Sequence, residues 1–178
     1  MIPQVDDRVL IQASRDGDLD AFEALVRRHH PAVYRVALRM LSSEADAQDA
    51  TQETFVRAWR GLGRFRCESE TSTWLYRIVT RRCLDVIGAR RPSEPLGEIE
   101  LPSHLDVADV AEQRERLRAV TRVIGGLPGD QRAALVLREL EGLSYEQVAD
   151  VLETSVPAVK GRIHRARLAV MKETAAWR

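Results

Sequence analysis

The chain has 178 residues, 44% of them apolar and 30% charged, which is the composition of a folded protein of one ordinary domain or two small ones. No uncharged apolar run approaches the roughly 18 residues a membrane span needs, so no membrane insertion is expected. Lysine and arginine together number 27, as do aspartate and glutamate, and a net charge of zero removes the simple argument from basicity to nucleic-acid binding.

Helical periodicity runs almost throughout and strand alternation is nearly absent. Asp6 to Arg15 reads as a short helix ended at Gly17. In a second, Leu19, Phe22, Leu25 and Val26 share a face, and Pro31 opens or bends its continuation through Val33, Val36, Met40 and Leu41. Ser42 or Ser43 is placed to cap a helix that ends near Trp59, before Gly61-Leu62-Gly63. After the polar stretch 66–71, Thr71 or Ser72 can cap a helix to about Arg90. Pro92, Pro95, Gly97 and Pro102 then interrupt any period, which marks a linker. Beyond it, helices are expected over 107–124, up to Gly125-Gly126-Leu127-Pro128, and over 130–140, up to Gly142. Ser144 and Gln147 have capping-box spacing at the start of a helix to Leu152, and Ser155 with Pro157 opens a last helix to about Glu173.

The fold class is therefore all-α. Two small helical domains, residues 1–91 and 107–178, are joined by an acidic flexible linker, 92–106, and the second ends in a helix-turn-helix. The acidic start lacks the basic and apolar regions of a secretory leader, so a cytoplasmic protein is expected. Cys67 and Cys83 are read as ordinary reduced thiols, and no C-x-x-C pair suggests zinc.

Charge is blocked along the chain. Residues 44–53 hold four acids and no base, and 74–91 hold five arginines against Asp85 alone. Residues 93–112 hold six acids and no lysine or arginine, and 154–172 hold five bases and no acid. Such blocks suggest separate surfaces for separate partners. In the last helix Val156, Val159, Ile163, Ala166 and Val170 form a buried stripe. The other side presents Gly161, His164 and Arg165, flanked by Lys160 and Arg162, where base edges and phosphates can be reached together. A solvated basic face is the plainer account. Earlier, Asp49, Gln52 and Glu53 form one exposed polar patch, with Ala50, Phe55 and Trp59 on or near a buried side. That patch is either a solvated face or a dock for a basic helix.

The run Asp46 to Trp59, then Phe65, Thr73-Trp74-Leu75-Tyr76-Arg77-Ile78, the acidic linker, Gly142-Leu143-Ser144-Tyr145-Glu146-Gln147 and Val159 to Arg167 resembles the extracytoplasmic-function sigma factors. These are the minimal two-domain branch of the sigma-70 family, with regions 2 and 4 only. The resemblance implies a bacterial transcription initiation factor, not an enzyme and without cofactor or metal. It would bind core RNA polymerase and direct it to promoters through −35 duplex and −10 single-stranded DNA, under a separate anti-sigma factor. It implies polymerase contact through Asp49, Gln52 and Glu53. It assigns −10 contact to Arg64, Phe65, Arg66, Cys67, Glu68, Ser69, Arg77 and Arg81, and −35 contact to Lys160, Gly161, Arg162, His164 and Arg165. The linker resembles the segment that threads the polymerase cleft. Family members often carry asparagine where Arg81 stands and serine where Gly161 stands, and both departures bear on DNA preference.

Bottom-up chemistry adds to this reading. Melted DNA needs aromatic platforms and backbone cations, and 64–91 supplies Phe65, Trp74, Tyr76 and several arginines, with Trp74 and Tyr76 expected in the core. Arginine neighbours point Phe65 toward DNA bases. Two other classes fit the sequence less well. A dimeric helix-turn-helix repressor leaves residues 46–59 without a role, and His29-His30 lacks a third ligand or a nucleophile for an enzyme.

Overall fold

The computed structural model describes residues 5–66, 69–90 and 119–175. The linker expected at 92–106 and the start of the next helix lie outside them. Helix α1 spans Asp7–Arg15, capped by the Asp6 side chain on the Arg8 amide, and Gly17 beyond it takes φ 97°. Helix α2, Leu19–Leu41, runs unbroken through Pro31. Proline leaves the carbonyl four residues back without its amide, and here both Arg27 and Pro31 are exposed, so that carbonyl faces solvent. Ser42 ends α2 in the left-handed conformation, and Ser43, not Ser42, caps α3, Glu44–Gly61. A 3₁₀ turn, Leu62–Arg64, leads toward α4, Thr71–Ala89, whose N-cap is Glu70 without a side-chain bond. Thr71, a candidate cap, is instead buried within the first turn.

In the second half, residues 119–126 end helix α5, and α6 spans Gly129–Leu135. The expected continuation to Leu140 is present but widens into a π turn, Val136–Leu140. Helix α7, Tyr145–Val151, has both halves of its capping box, and α8, Val156–Thr174, begins at Ser155 with Pro157 in its first turn. No described helix is long and apolar enough to cross a membrane.

Helices α2, α3 and α4 bury Val36, Met40, Ala50, Phe55, Leu75 and Val79 against one another. Each large aliphatic side chain withdrawn from water in this way contributes about 1.5–3 kcal/mol. Two expected core positions differ. Leu19 is 67% exposed, because the buried stripe of α2 passes through Ala21, about 200° around the helix from it. Trp59 is 39% exposed, with one side on Phe22 at 4.8 Å between centroids, because Ala58 takes the inward position.

The two helical groups do not stand apart. One apolar cluster runs from Val36 and Val79 into Ala133, Val136, Val148 and Ile163, so α4 and α6 meet across a shared core. Gly129 makes the approach possible, since a β-carbon there would lie 3.1 Å from Leu84. Arg132 of α6 is 4% exposed. Its guanidinium donates to the Met40 carbonyl at 2.5 Å, to Leu127 at 3.0 Å and to the Gly125 carbonyl. Burial pushes its pKa down to about 10.

Candidate nucleic-acid interface

Helix α8 buries Val159, Ile163 and Ala166 and exposes Lys160, His164 and Arg165 on its other side. That division follows from the 3-4-3 spacing of its apolar residues. Lys160 lies over the Tyr145 ring at 5.3 Å, with Arg138 at 4.7 Å from the same centroid, so it is partly held by α7. Arg162 is half-buried and pairs with Asp130 at 3.1 Å, which draws it away from the open face. Arg167 pairs with Glu139 at 2.6 Å. Among the described residues, His164 and Arg165 have no ion-pair partner. A β-carbon at Gly161 would meet only the Arg165 guanidinium, at 3.4 Å, and that end of a flexible side chain can yield to a serine.

The turn before α8 contains Glu153 with φ 49°, a left-handed conformation where glycine is the relaxed choice. Together α7, this turn and α8 make the expected helix-turn-helix.

On α3, buried Ala47, Ala50, Thr54, Phe55 and Ala58 leave Asp49 and Gln52 exposed on the opposite side. Glu53 is not free beside them: it pairs with Arg57 on its own helix and with Arg82 of α4 at 2.5 Å. Val56, 47% exposed, and Trp59 continue the Asp49–Gln52 line one and two turns on. The sequence places Trp59 on or near the buried side and gives Val56 no role, whereas both stand in water here. A free apolar side chain breaking an otherwise polar helix face was the available signal.

The segment after α3 differs from expectation most. Phe65 does not project. It is 8% exposed, stacked on Trp74 at 4.3 Å between centroids with 11° between planes, and packed with Leu10, Ile11 and Leu25. Arg15 explains the inward turn, since its guanidinium donates to the Leu62 carbonyl at 3.0 Å and to the Phe65 carbonyl, tying the loop to α1. Trp74 is half-buried and Tyr76 buried, as core residues. Arg64, Arg66, Ser69, Arg77 and the Phe65–Trp74 pair line a cavity of about 640 Å³, which Asp150 of α7 also borders. Cys67 and Glu68 lie outside the described residues. Arg77 pairs with Asp150 at 2.7 Å and Arg81 with Glu153 at 3.6 Å.

His29 has its Nε2 2.7 Å from Asp7, and His30 stacks between Tyr34 and Phe55, each centroid 6.2 Å away. Among the described residues no three His, Cys, Asp or Glu side chains gather as a metal site. Burial raises the Cys83 thiol to about 12, which leaves it protonated and inert.

A helix-turn-helix whose outer face leaves Arg165 without an ion-pair partner among the described residues, set beside a second helical unit with an arginine-lined cavity, has the form of a DNA-binding factor of two helical parts. Residues 25–92 match Sigma-70 region 2, and residues 117–170 match Sigma-70, region 4. The RNA polymerase sigma-H factor of Pseudomonas aeruginosa is 36% identical over 97% of this chain and 95% of its own length. The ECF RNA polymerase sigma-E factor of Haemophilus influenzae is 37% identical over 94% of each. The solved structure of CnrH in complex with the cytosolic domain of CnrY is 32% identical, covers 96% of this chain and 97% of its own, and superposes with a TM-score of 0.73. RpoE of Bartonella quintana, solved with the anti-sigma factor NepR, shares the fold at a TM-score of 0.71 and 22% identity, over 90% of this chain and 100% of its own. The chain belongs to the sigma-70 family, in its extracytoplasmic-function branch. It is a transcription initiation factor that joins core RNA polymerase and directs it to promoters.

Proposed function

We propose that the factor works in the cytoplasm, without catalytic chemistry of its own, by dividing its two parts between polymerase and promoter. The observation that carries this is the outer face of α8, where exposed Arg165 has no ion-pair partner among the described residues and exposed His164 stands beside it. An arginine in that position can bond both acceptors of a guanine edge, and Lys160 beside it can hold a phosphate. Arg162, drawn toward Asp130, contributes long-range attraction more than a base contact. Gly161 leaves room for the backbone to approach DNA.

Asp49 and Gln52, continued by Val56 and Trp59, are the surface for core polymerase. Glu53 supports it from below through Arg82. The −10 strand belongs to the cavity of Arg64, Arg66, Ser69, Arg77 and Trp74, with Arg81 nearby on α4, and the resemblance adds Cys67 and Glu68, which lie outside the described residues. In this reading Phe65 forms the floor of that cavity under Trp74 and does not itself stack on a base. The domain limits remain 1–91 and 107–178, with the acidic stretch 92–106 in the polymerase cleft. A separate anti-sigma protein is the regulatory partner, on the precedent of RpoE of Bartonella quintana, solved with the anti-sigma factor NepR.

Arg165→Ala tests the reading. In reconstituted holoenzyme it should cost about 1–3 kcal/mol at a matched −35 element and relax preference at one base pair. Equal losses on all sequences would reduce Arg165 to a backbone contact.

A further inference from the structure

The structure assigns Arg15, on α1, the role of a positioning residue for −10 recognition. It sets the loop that presents Arg64 and Arg66, a role that rests on the −10 reading of those two arginines given above. Its guanidinium turns one edge toward two backbone carbonyls of the loop. Nε donates to the Leu62 carbonyl at 3.0 Å, and Nη2 donates to the Phe65 carbonyl. The planar group fixes these two donors relative to each other, so the carbonyls are held at a set spacing. Gly63 and Arg64 lie between the two gripped residues, and Arg66 directly follows them. Both arginines are exposed and line the cavity.

The loop has little stiffness of its own. Gly61 and Gly63 flank Leu62, and a β-carbon at Gly63 would meet nothing within 4 Å, so no contact there holds the backbone. What fixes it comes from α1. The Leu62 and Phe65 side chains sink among Leu10, Ile11 and Leu25, which sets the depth of the loop. Arg15 adds the two polar bonds that set its rotation about that anchor. Helix α1 can serve as the reference because it is itself tied down: Ile11 is fully buried, and Asp7 lies 2.7 Å from His29 of α2. Removing Arg15 therefore leaves the loop docked but free to rock. Arg64 and Arg66 keep their charge and lose their register, so attraction to the strand survives while discrimination between sequences falls.

The test uses holoenzyme reconstituted with the full chain and two promoter libraries, one randomised across the −10 element and one across the −35 element. Open complexes are sequenced, and the ratio of strongest to weakest sequences is read from each library. Arg15→Ala should narrow the −10 ratio about tenfold, the equivalent of one hydrogen bond to a charged group, and leave the −35 ratio unchanged. Arg15→Lys should behave like Arg15→Ala, because a single ammonium cannot hold both carbonyls along one edge. Arg15→Gln can still donate to one carbonyl, should fall in between, and covers the case of a misfolded alanine variant. The rival role for an exposed arginine here is a direct phosphate bond. Equal weakening of all −10 sequences by Arg15→Ala, or recovery with Arg15→Lys, would establish that bond and overturn the positioning role. Loss of the −35 ratio in all three variants would reduce Arg15 to a structural residue. An unchanged −10 ratio in Arg15→Ala, where Arg64→Ala and Arg66→Ala narrow it, also sinks the role. If those two substitutions leave the −10 ratio untouched, the −10 reading itself fails, and the role of Arg15 with it.

Discussion

Phe65 shows how one side chain can be reassigned by its neighbours. Flanking arginines point it outward in a sequence reading, but Arg15 on α1 ties down the carbonyls of Leu62 and Phe65, and the ring goes beneath Trp74. Phe65→Ala should therefore behave as a core truncation. A loss of about 3–5 kcal/mol in urea unfolding is expected, with promoter melting lost only as far as the fold is. An unchanged unfolding midpoint would return the ring to the DNA side. Asp7 supports the same corner from the other end, through His29 at 2.7 Å and through Arg28. Burial alone would raise its pKa, but His29 and Arg28 outweigh that and hold it below the ordinary 3.8. A carboxyl lowered on folding stabilises fully above its unfolded value, and the contribution fades as pH falls through the folded one. Below about pH 3.8 α1 should loosen first, and Asp7→Asn should reproduce this at neutral pH as faster amide exchange over residues 7–15.

At the scale of an element, the helix-turn-helix is almost fully written in local chemistry. Ser144 and Gln147 cap α7 reciprocally, Ser155 accepts from the Ala158 amide, and Val159, Ile163 and Ala166 set the inward face. Its single strained position is Glu153 at φ 49°. A left-handed residue with a β-carbon costs about 1–2 kcal/mol, while glycine gives back some of the gain as freedom in the unfolded chain. The pair Glu153 forms with Arg81 is long and exposed, and is worth little to stability. Glu153→Gly should therefore raise the melting temperature by a net gain of about half to one kcal/mol. A drop would mean that the carboxylate does more for the fold than its exposure suggests. The α3 face was less legible, because periodicity finds the buried stripe of a helix but cannot separate an apolar side chain left in water from one at the margin of the core. Val56 and Trp59 are such residues.

Across the whole molecule the two helical groups share one apolar cluster, joined as well by buried Arg132 and by the pairs Glu141 makes with Arg35 and Arg39. Small helical units bury a modest fraction of their surface alone, so a shared core should couple their unfolding. Calorimetry of the intact chain should give one cooperative transition, and an isolated piece carrying residues 107–178 should melt lower than the same residues do within the chain. Two independent transitions at the temperatures of the separate halves would refute the coupling.

The sequence by itself determined the described helices, the serine caps of α3, α7 and α8, the basic face of α8 and, through spaced motifs, the family. These depend on hydrogen bonds and side-chain periods within a turn or two, so they are complete within a short window of residues. Only the tertiary structure decided that Phe65 turns inward, that Glu53 and Arg162 are already paired, and that the two halves meet. Arg132 reaches Met40 and Glu141 reaches Arg35 and Arg39, partners roughly a hundred positions apart, and Asp150 stands on Arg77 across the same joint. Charge blocks announce that such pairs are available. Which carboxylate meets which guanidinium follows from how α4 and α6 pack around Gly129, a contact between surfaces that no local pattern encodes.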